Sequence, residues 1–187
     1  MADGTAPPTQ SSSPTETPTG FHIGIGGGIG AAIAGKGDNR SPLNVDLSLE
    51  ASYQAEKWYV GISGLVVFGG EFEDGDLRSS LSTQMVVLRG GALFTLGPVR
   101  PFVGGGIGYV AQGFFTNHRA FDNGFPNGAV DVRSGAGAMA EAGAILLEGQ
   151  QQLQVIASTR LIIPFFGFPQ DGDQRFPIVV FNLQLMF

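Results

Sequence analysis

From Leu43 to Gln54 the chain alternates without a break: Leu43, Val45, Leu47, Leu49, Ala51 and Tyr53 fall on one side, Asn44, Asp46, Ser48, Glu50, Ser52 and Gln54 on the other. A repeat of two is the side-chain period of a β-strand, so the segment reads as a strand with one apolar and one polar face. Leu153, Val155, Ala157, Thr159 and Leu161 repeat the pattern against Gln152, Gln154, Ile156, Ser158 and Arg160. In the last ten residues Val179, Phe181, Leu183, Leu185 and Phe187 share a face, and Val180, Asn182, Gln184 and Met186 share the other. A strand at the margin of a sheet must hide its free N–H and C=O groups, and closing onto another strand does so. The pattern predicts a barrel rather than an open sheet.

Composition narrows the class further. The chain is 43% hydrophobic and only 14% charged, against about a quarter charged in soluble proteins. Thirty glycines run through the apolar segments, where each would cost a helix about 1 kcal/mol. The net charge of −6, with Lys and Arg together only 10, argues against a nucleic-acid partner, since phosphate binding needs basic clusters. The absence of cysteine excludes a lipidated cysteine and any thiolate metal site. Residues 1–19 carry Pro7, Pro8, Pro14 and Pro18 among Ser, Thr, Ala and Gln and read as a disordered leader, followed by a barrel over 20–187. The leader has no basic or apolar signal segment, so any export signal is expected to have been removed. Phe21 to Ala34 holds five glycines and is too short for a membrane helix, which needs about 20 residues.

Eight strands can be laid out at about 21–34, 43–55, 57–69, 83–96, 100–113, 134–147, 151–163 and 177–187, close to the length a tilted strand needs to cross hydrocarbon. The connections alternate. Residues 55–57, 97–99 and 148–150 are tight, whereas 35–42, 70–82, 114–133 and 164–176 are longer. Short turns on one side, long loops on the other and an even strand count describe an up-and-down transmembrane barrel with periplasmic turns, extracellular loops and both termini in the periplasm.

The Pro101-Phe102-Val103-Gly104-Gly105-Gly106-Ile107-Gly108-Tyr109 stretch and the terminal Phe187 on an alternating strand resemble the eight-stranded outer-membrane barrels of the OmpA transmembrane-domain and OmpX type. The resemblance covers about residues 20–187. It implies an all-β, eight-stranded antiparallel barrel in the bacterial outer membrane. It also implies that Phe187 belongs to the signal read by the outer-membrane assembly machinery, and that outer-membrane lipid and lipopolysaccharide surround a monomer.

The polar face carries Asp46, Glu50, Arg89, Glu141 and Arg160 but no Lys, a nearly balanced set unlike the scattered charges of a solvated exterior. These five residues are expected in the lumen as one network, because guanidinium groups satisfy several carboxylate oxygens at once. In the first strand Phe21, Ile23, Ile25, Ile29 and Ile33 would face lipid, leaving His22, Gly24, Gly26, Gly28 and Gly30 to give the arginines room. Eight strands enclose an interior that side chains fill, so the lumen is predicted to be plugged. Tyr53, Trp58, Tyr59, Phe94, Phe102 and Tyr109 fall near strand ends and read as interfacial girdles. Phe114, Phe115, Phe121, Phe125, Phe165, Phe166, Phe168 and Phe176 lie in the long connections, where apolar surface would dock an extracellular protein or ligand, or rest on lipid.

Other signals fail on chemistry. Gly30 to Gly37 comes within one residue of a phosphate-binding loop, but Gly37 replaces the magnesium-binding hydroxyl and no helix follows. Gly26, Gly28 and Ala31 loosely mimic a dinucleotide fingerprint without its crossover helix. Glu71, Glu73, Asp74 and Asp76, with Asp171 and Asp173, lack the spacing of a calcium loop, so no metal and no cofactor is expected. His22 and His118 lie outside any motif of lipid-A enzymes. The sequence predicts a non-catalytic barrel acting as anchor, surface-interaction or envelope-integrity protein. A narrow conduit for small or apolar solutes, like that suggested by OmpW-type relatives, is the alternative, and a lipid-A-modifying enzyme the third.

Overall fold

In the computed structural model, residues 19–33, 38–74, 77–96, 99–118, 129–148, 153–167 and 175–187 are described. They form eight strands: β1 (Gly20–Ala32), β2 (Asp38–Gln54), β3 (Trp58–Asp74), β4 (Leu77–Leu93), β5 (Arg100–His118), β6 (Ala129–Glu148), β7 (Gln154–Pro164) and β8 (Ile178–Met186). Each pairs antiparallel with the next, and β8 pairs with β1 to close the barrel. At the seam the Ile23 N–H donates to the Phe187 carbonyl at 3.0 Å and the Phe187 N–H to the Ile23 carbonyl at 2.9 Å. The margin that alternation alone could not dispose of is thus removed.

The pairing is staggered. Following partners around the wall from Gly20 through Gln54, Tyr59, Gly91, Gly104, Glu141, Arg160 and Val180 returns to β1 at Gly30, ten residues along the same strand. Such a shear requires strands tilted by roughly 35–45° to the axis.

The predicted strands are present, but several are longer than the alternation indicated. The segment 70–82, expected as a loop, is mostly a hairpin: Glu71 pairs with Ser80 and Asp74 with Leu77. β5 likewise runs to His118, β6 begins at Ala129 and β2 at Asp38. The physical reason is that backbone pairing continues beyond the hydrocarbon, where polar residues ladder as well as apolar ones and the apolar stripe that marks a strand is lost. At the opposite end, five residues rather than three separate β6 from β7, and a Leu96–Val99 bridge tightens the β4–β5 turn. The wall is therefore tall over β2–β6, at 17 to 20 residues per strand, and low over β7, β8 and β1, at 11, 9 and 13.

The outward face is apolar. Phe21, Ile23, Ile25 and Ile29 of β1, Leu43, Val45, Leu47 and Leu49 of β2, and Phe181, Leu183 and Leu185 of β8 are all exposed. An apolar exterior this continuous suits hydrocarbon, not water. No helix among the described residues is long and apolar enough to cross a membrane.

Candidate functional site in the barrel lumen

Alternation sends Asp46 and Glu50 of β2, Arg89 of β4, Glu141 of β6 and Arg160 of β7 inward, and all five are buried. Four of them, Glu50, Arg89, Glu141 and Arg160, contact one another. Arg89 Nη1 donates to Glu141 Oε2 at 2.7 Å, and Arg89 also contacts Glu50. Arg160 Nη2 donates to Glu50 Oε2 at 3.0 Å, and its Nε lies 3.5 Å from Glu141 Oε2. Each arginine thus touches both glutamates, and each glutamate both arginines. Asp46 accepts from Asn182 instead.

Sequence reasoning missed the neutral members of this belt and one further arginine. Gln184 accepts from Arg160 Nη2 at 3.1 Å while its own amide donates to Glu50 at 3.0 Å and Ser48 at 3.2 Å. Gln54 and Gln154 exchange hydrogen bonds at 3.1 and 3.3 Å. Arg100, also buried, reaches the Glu56 carbonyl at 3.4 Å. Their positions on the polar faces of β2, β5, β7 and β8 were the available signal.

Two girdle assignments are corrected. Tyr59 and Phe102 point into the lumen and are buried. Trp58 takes the outward position at the start of β3, so its neighbour must turn inward. There the Tyr59 hydroxyl donates to Glu141 Oε1 at 2.7 Å, and Arg89 sits over its ring at 5.2 Å, a cation–π arrangement. Phe102 meets Tyr59 edge to face at 5.7 Å. The surrounding glycines are the imprint of these rings. A Cβ on Gly104 would lie 2.1 Å from the Tyr59 hydroxyl, and one on Gly143 would lie 2.7 Å from Phe102. Trp58 and Phe94 are exposed near the turns, and Tyr53 packs between Phe21 and Trp58 at 5.1 and 5.7 Å. Tyr109 is exposed toward the other end, its hydroxyl donating to Ser134 Oγ at 2.6 Å.

The lumen is drier than its polar face suggested. Beyond the belt, toward the end away from the chain termini, Leu65, Val67, Leu81, Met85, Val87, Val110, Met139, Ile162, Ile178 and Val180 form one buried apolar layer. On the other side Tyr59, Leu93, Phe102, Ile145, Ile156 and Met186 form a second. The cavity left between belt and second layer is about 10 Å³, room for about one water. The first layer was legible where alternation lapses into apolar runs, as at Leu65-Val66-Val67-Phe68, Met85-Val86-Val87-Leu88 and Ile178-Val179-Val180-Phe181. There both faces are apolar, so the inner one must be too.

The phenylalanines of the connections divide. Phe165 is 52% exposed. Phe166 and Phe176, expected as outward surface, turn inward: Phe166 packs on the first apolar layer over Gly135, and Phe176 is buried within it. The reason is the low wall of β7 and β8, which leaves that layer uncovered unless the flanking chain folds over it. The Phe176 carbonyl is held by Gln112 Nε2 at 2.9 Å. Phe121, Phe125 and Phe168 lie outside the described residues, as do Asp76, Asp171 and Asp173; Phe114 and Phe115 are placed in β5 by their backbone alone. Phe187 stands at the seam and is 60% exposed.

No family model matches the chain, and neither does any curated protein sequence. Solved structures do. Neisserial surface protein A superposes with a TM-score of 0.61 at 11% identity, over 89% of this chain and 95% of that one. Ail, the attachment invasion locus protein of Yersinia pestis, does so with 0.56 at 16% identity, over 90% and 99%. At such identities the likeness is one of fold. The chain has the fold of the eight-stranded outer-membrane β-barrels, of OmpA-like and OmpX-like type, as its motifs implied.

Proposed function

We propose that this chain is a non-catalytic, monomeric outer-membrane barrel with a sealed lumen, which anchors the surface its tall strands carry beyond the membrane. The observation behind this reading is the layering of the lumen. An ionic belt lies between two apolar layers with space for about one water, so ions find no wet path. His22 supports the non-catalytic part: it is 2% exposed inside the barrel, out of reach of a lipid substrate on the outer wall. The proposed orientation puts the described chain ends and the turns between them in the periplasm, with the extensions of β2–β6 outside. Phe187, at the seam, would serve the assembly machinery as it does in the resembling family.

Ail has also been solved in complex with the heparin analogue sucrose octasulfate. A sulfated ligand is a poor match here, because the chain carries a net charge of −6. An extracellular protein meeting Phe165 and the neighbouring connections fits better.

Planar-bilayer recording tests the reading. Purified protein should give no steady conductance, and a reproducible open level would replace the sealed anchor with the narrow conduit. Orientation is read separately, by whether protease applied to intact cells cuts within 114–133 while the leader stays protected.

A further inference from the structure

The outer wall has a notch. The outward residues of β3 run Val60, Ile62, Gly64, Val66 and Phe68, and nothing lies within 4 Å of the place a Cβ on Gly64 would take. Its cross-strand partners are Leu49 and Val86. With Ile25, Leu47 and Val66 they border an apolar cleft of about 470 Å³.

At one rim of this cleft the apolar surface stops. Gln84, paired with Val66, is exposed on the membrane-facing wall, and no hydrogen-bond partner for its side-chain amide is found among the described residues. Tyr109, whose hydroxyl donates to Ser134, lines the same cleft. An unpaired amide is costly in hydrocarbon, so its surroundings must supply polar atoms. Height says which surroundings. Val66 is eight residues along β3 from Trp58, about 20 Å along the axis for tilted strands, in an apolar band about 25 Å tall. Gln84 therefore reaches the level where acyl chains join their headgroups, and the cleft hangs below it into the same leaflet.

We propose that the cleft is a slot for one acyl chain of lipid A, seated in the Gly64 notch with its ester or hydroxyl group hydrogen-bonded at Gln84 and Tyr109. The choice of lipid A over phospholipid rests on the orientation proposed above, which makes this the outer leaflet. Hydroxylated, ester-linked acyl chains offer an amide both a donor and an acceptor, and the notch gives a straight chain a floor between Leu49 and Val86.

The test is native mass spectrometry of protein released from vesicles holding equal lipid A and dipalmitoylphosphatidylethanolamine. The protein should retain one lipid A. Gly64→Leu should reduce that adduct about tenfold by filling the notch, and Gln84→Leu should reduce it about threefold. Ala140→Leu, on the outward face of β6, should leave it unchanged. A Gly64→Leu side chain enters open space, and its heat-dependent gel shift verifies that the barrel has closed. Undiminished lipid A on Gly64→Leu, or phosphatidylethanolamine as the retained lipid, overturns the slot. A conducting barrel would refute the sealed lumen without touching this result, and reversed protease accessibility would identify orientation as the failed premise.

Discussion

The belt around Arg160 and the apolar layer around Ile162 lie two residues apart on β7, both closed to solvent, yet different physics holds them. The belt is directional: it joins β2 to β7 and β4 to β6, strands that share no backbone ladder. The apolar layer is non-directional and asks only for volume. The difference bears on how the barrel fixes its stagger. A slip of one residue would turn every side chain to the wrong face, but a slip of two would preserve the alternation. Leu65 and Val67 could exchange levels in the apolar layer at little cost. Glu50 could not, because moving it one pair along β2 would part it from both arginines. The belt thus specifies a register that hydrophobic patterning leaves open.

The sharpest way to break the comparison is to delete one belt charge. Arg160→Ala leaves Glu50 and Glu141 buried with one shared cation, Arg89, and should cost about 3–5 kcal/mol, read as a lower urea midpoint for unfolding in detergent micelles. Substituting Met for Arg89 and Arg160 together with Gln for Glu50 and Glu141 should recover part of this loss, since an apolar or neutral replacement of a whole buried network is far better tolerated than a broken one. An unchanged midpoint for Arg160→Ala would mean that the belt contributes nothing to the fold.

Deleting apolar volume beside the belt is the next largest change. Ile162→Ala should cost about 2–5 kcal/mol, toward the lower end because flexible Met139 and Met85 can move into the gap. The contrast with Arg160 lies in rescue: Ile162→Val should recover most of the loss, whereas Arg160→Lys should not, because a single ammonium cannot span both glutamates. Equal rescue at the two positions would erase the distinction between directional and non-directional packing.

How far the sequence was legible follows the same division. The strands of the membrane band, their faces and the four charged belt residues could be read because alternation and charge sign are local. The strand extensions past the hydrocarbon could not, since Glu71 to Asp74 and Leu77 to Ser80 pair through backbone without an apolar stripe. Tyr59 and Phe102 were misassigned for a related reason. An aromatic near a strand end suits either an interface or a lumen, and what decides is the space opposite, supplied here by Gly104, Gly91 and Gly143 from other strands. Inward folding of Phe166 and Phe176 depended on the low wall of β7 and β8, a property of the closed barrel and of no single segment.

The smallest expected effects compare one chemical change in two settings. Tyr59→Phe and Tyr109→Phe each remove a hydroxyl from a paired aromatic, one inside the belt and one on the outer wall. In the lumen the lost donor leaves Glu141 Oε1 without its 2.7 Å hydrogen bond, and the adjoining cavity of about 10 Å³ offers room for no more than about one water in its place. Tyr59→Phe should therefore cost about 1–3 kcal/mol. On the wall, Ser134 keeps its own hydroxyl and is exposed, free to turn toward lipid carbonyls or interfacial water, so Tyr109→Phe should cost less than about 1 kcal/mol. The two urea midpoints, measured in the same micelles, should fall in that order. If Tyr109→Phe proved the more damaging, the wall rather than the lumen would hold the polar interactions that matter to the fold, and the belt would lose its place as the element that sets the register.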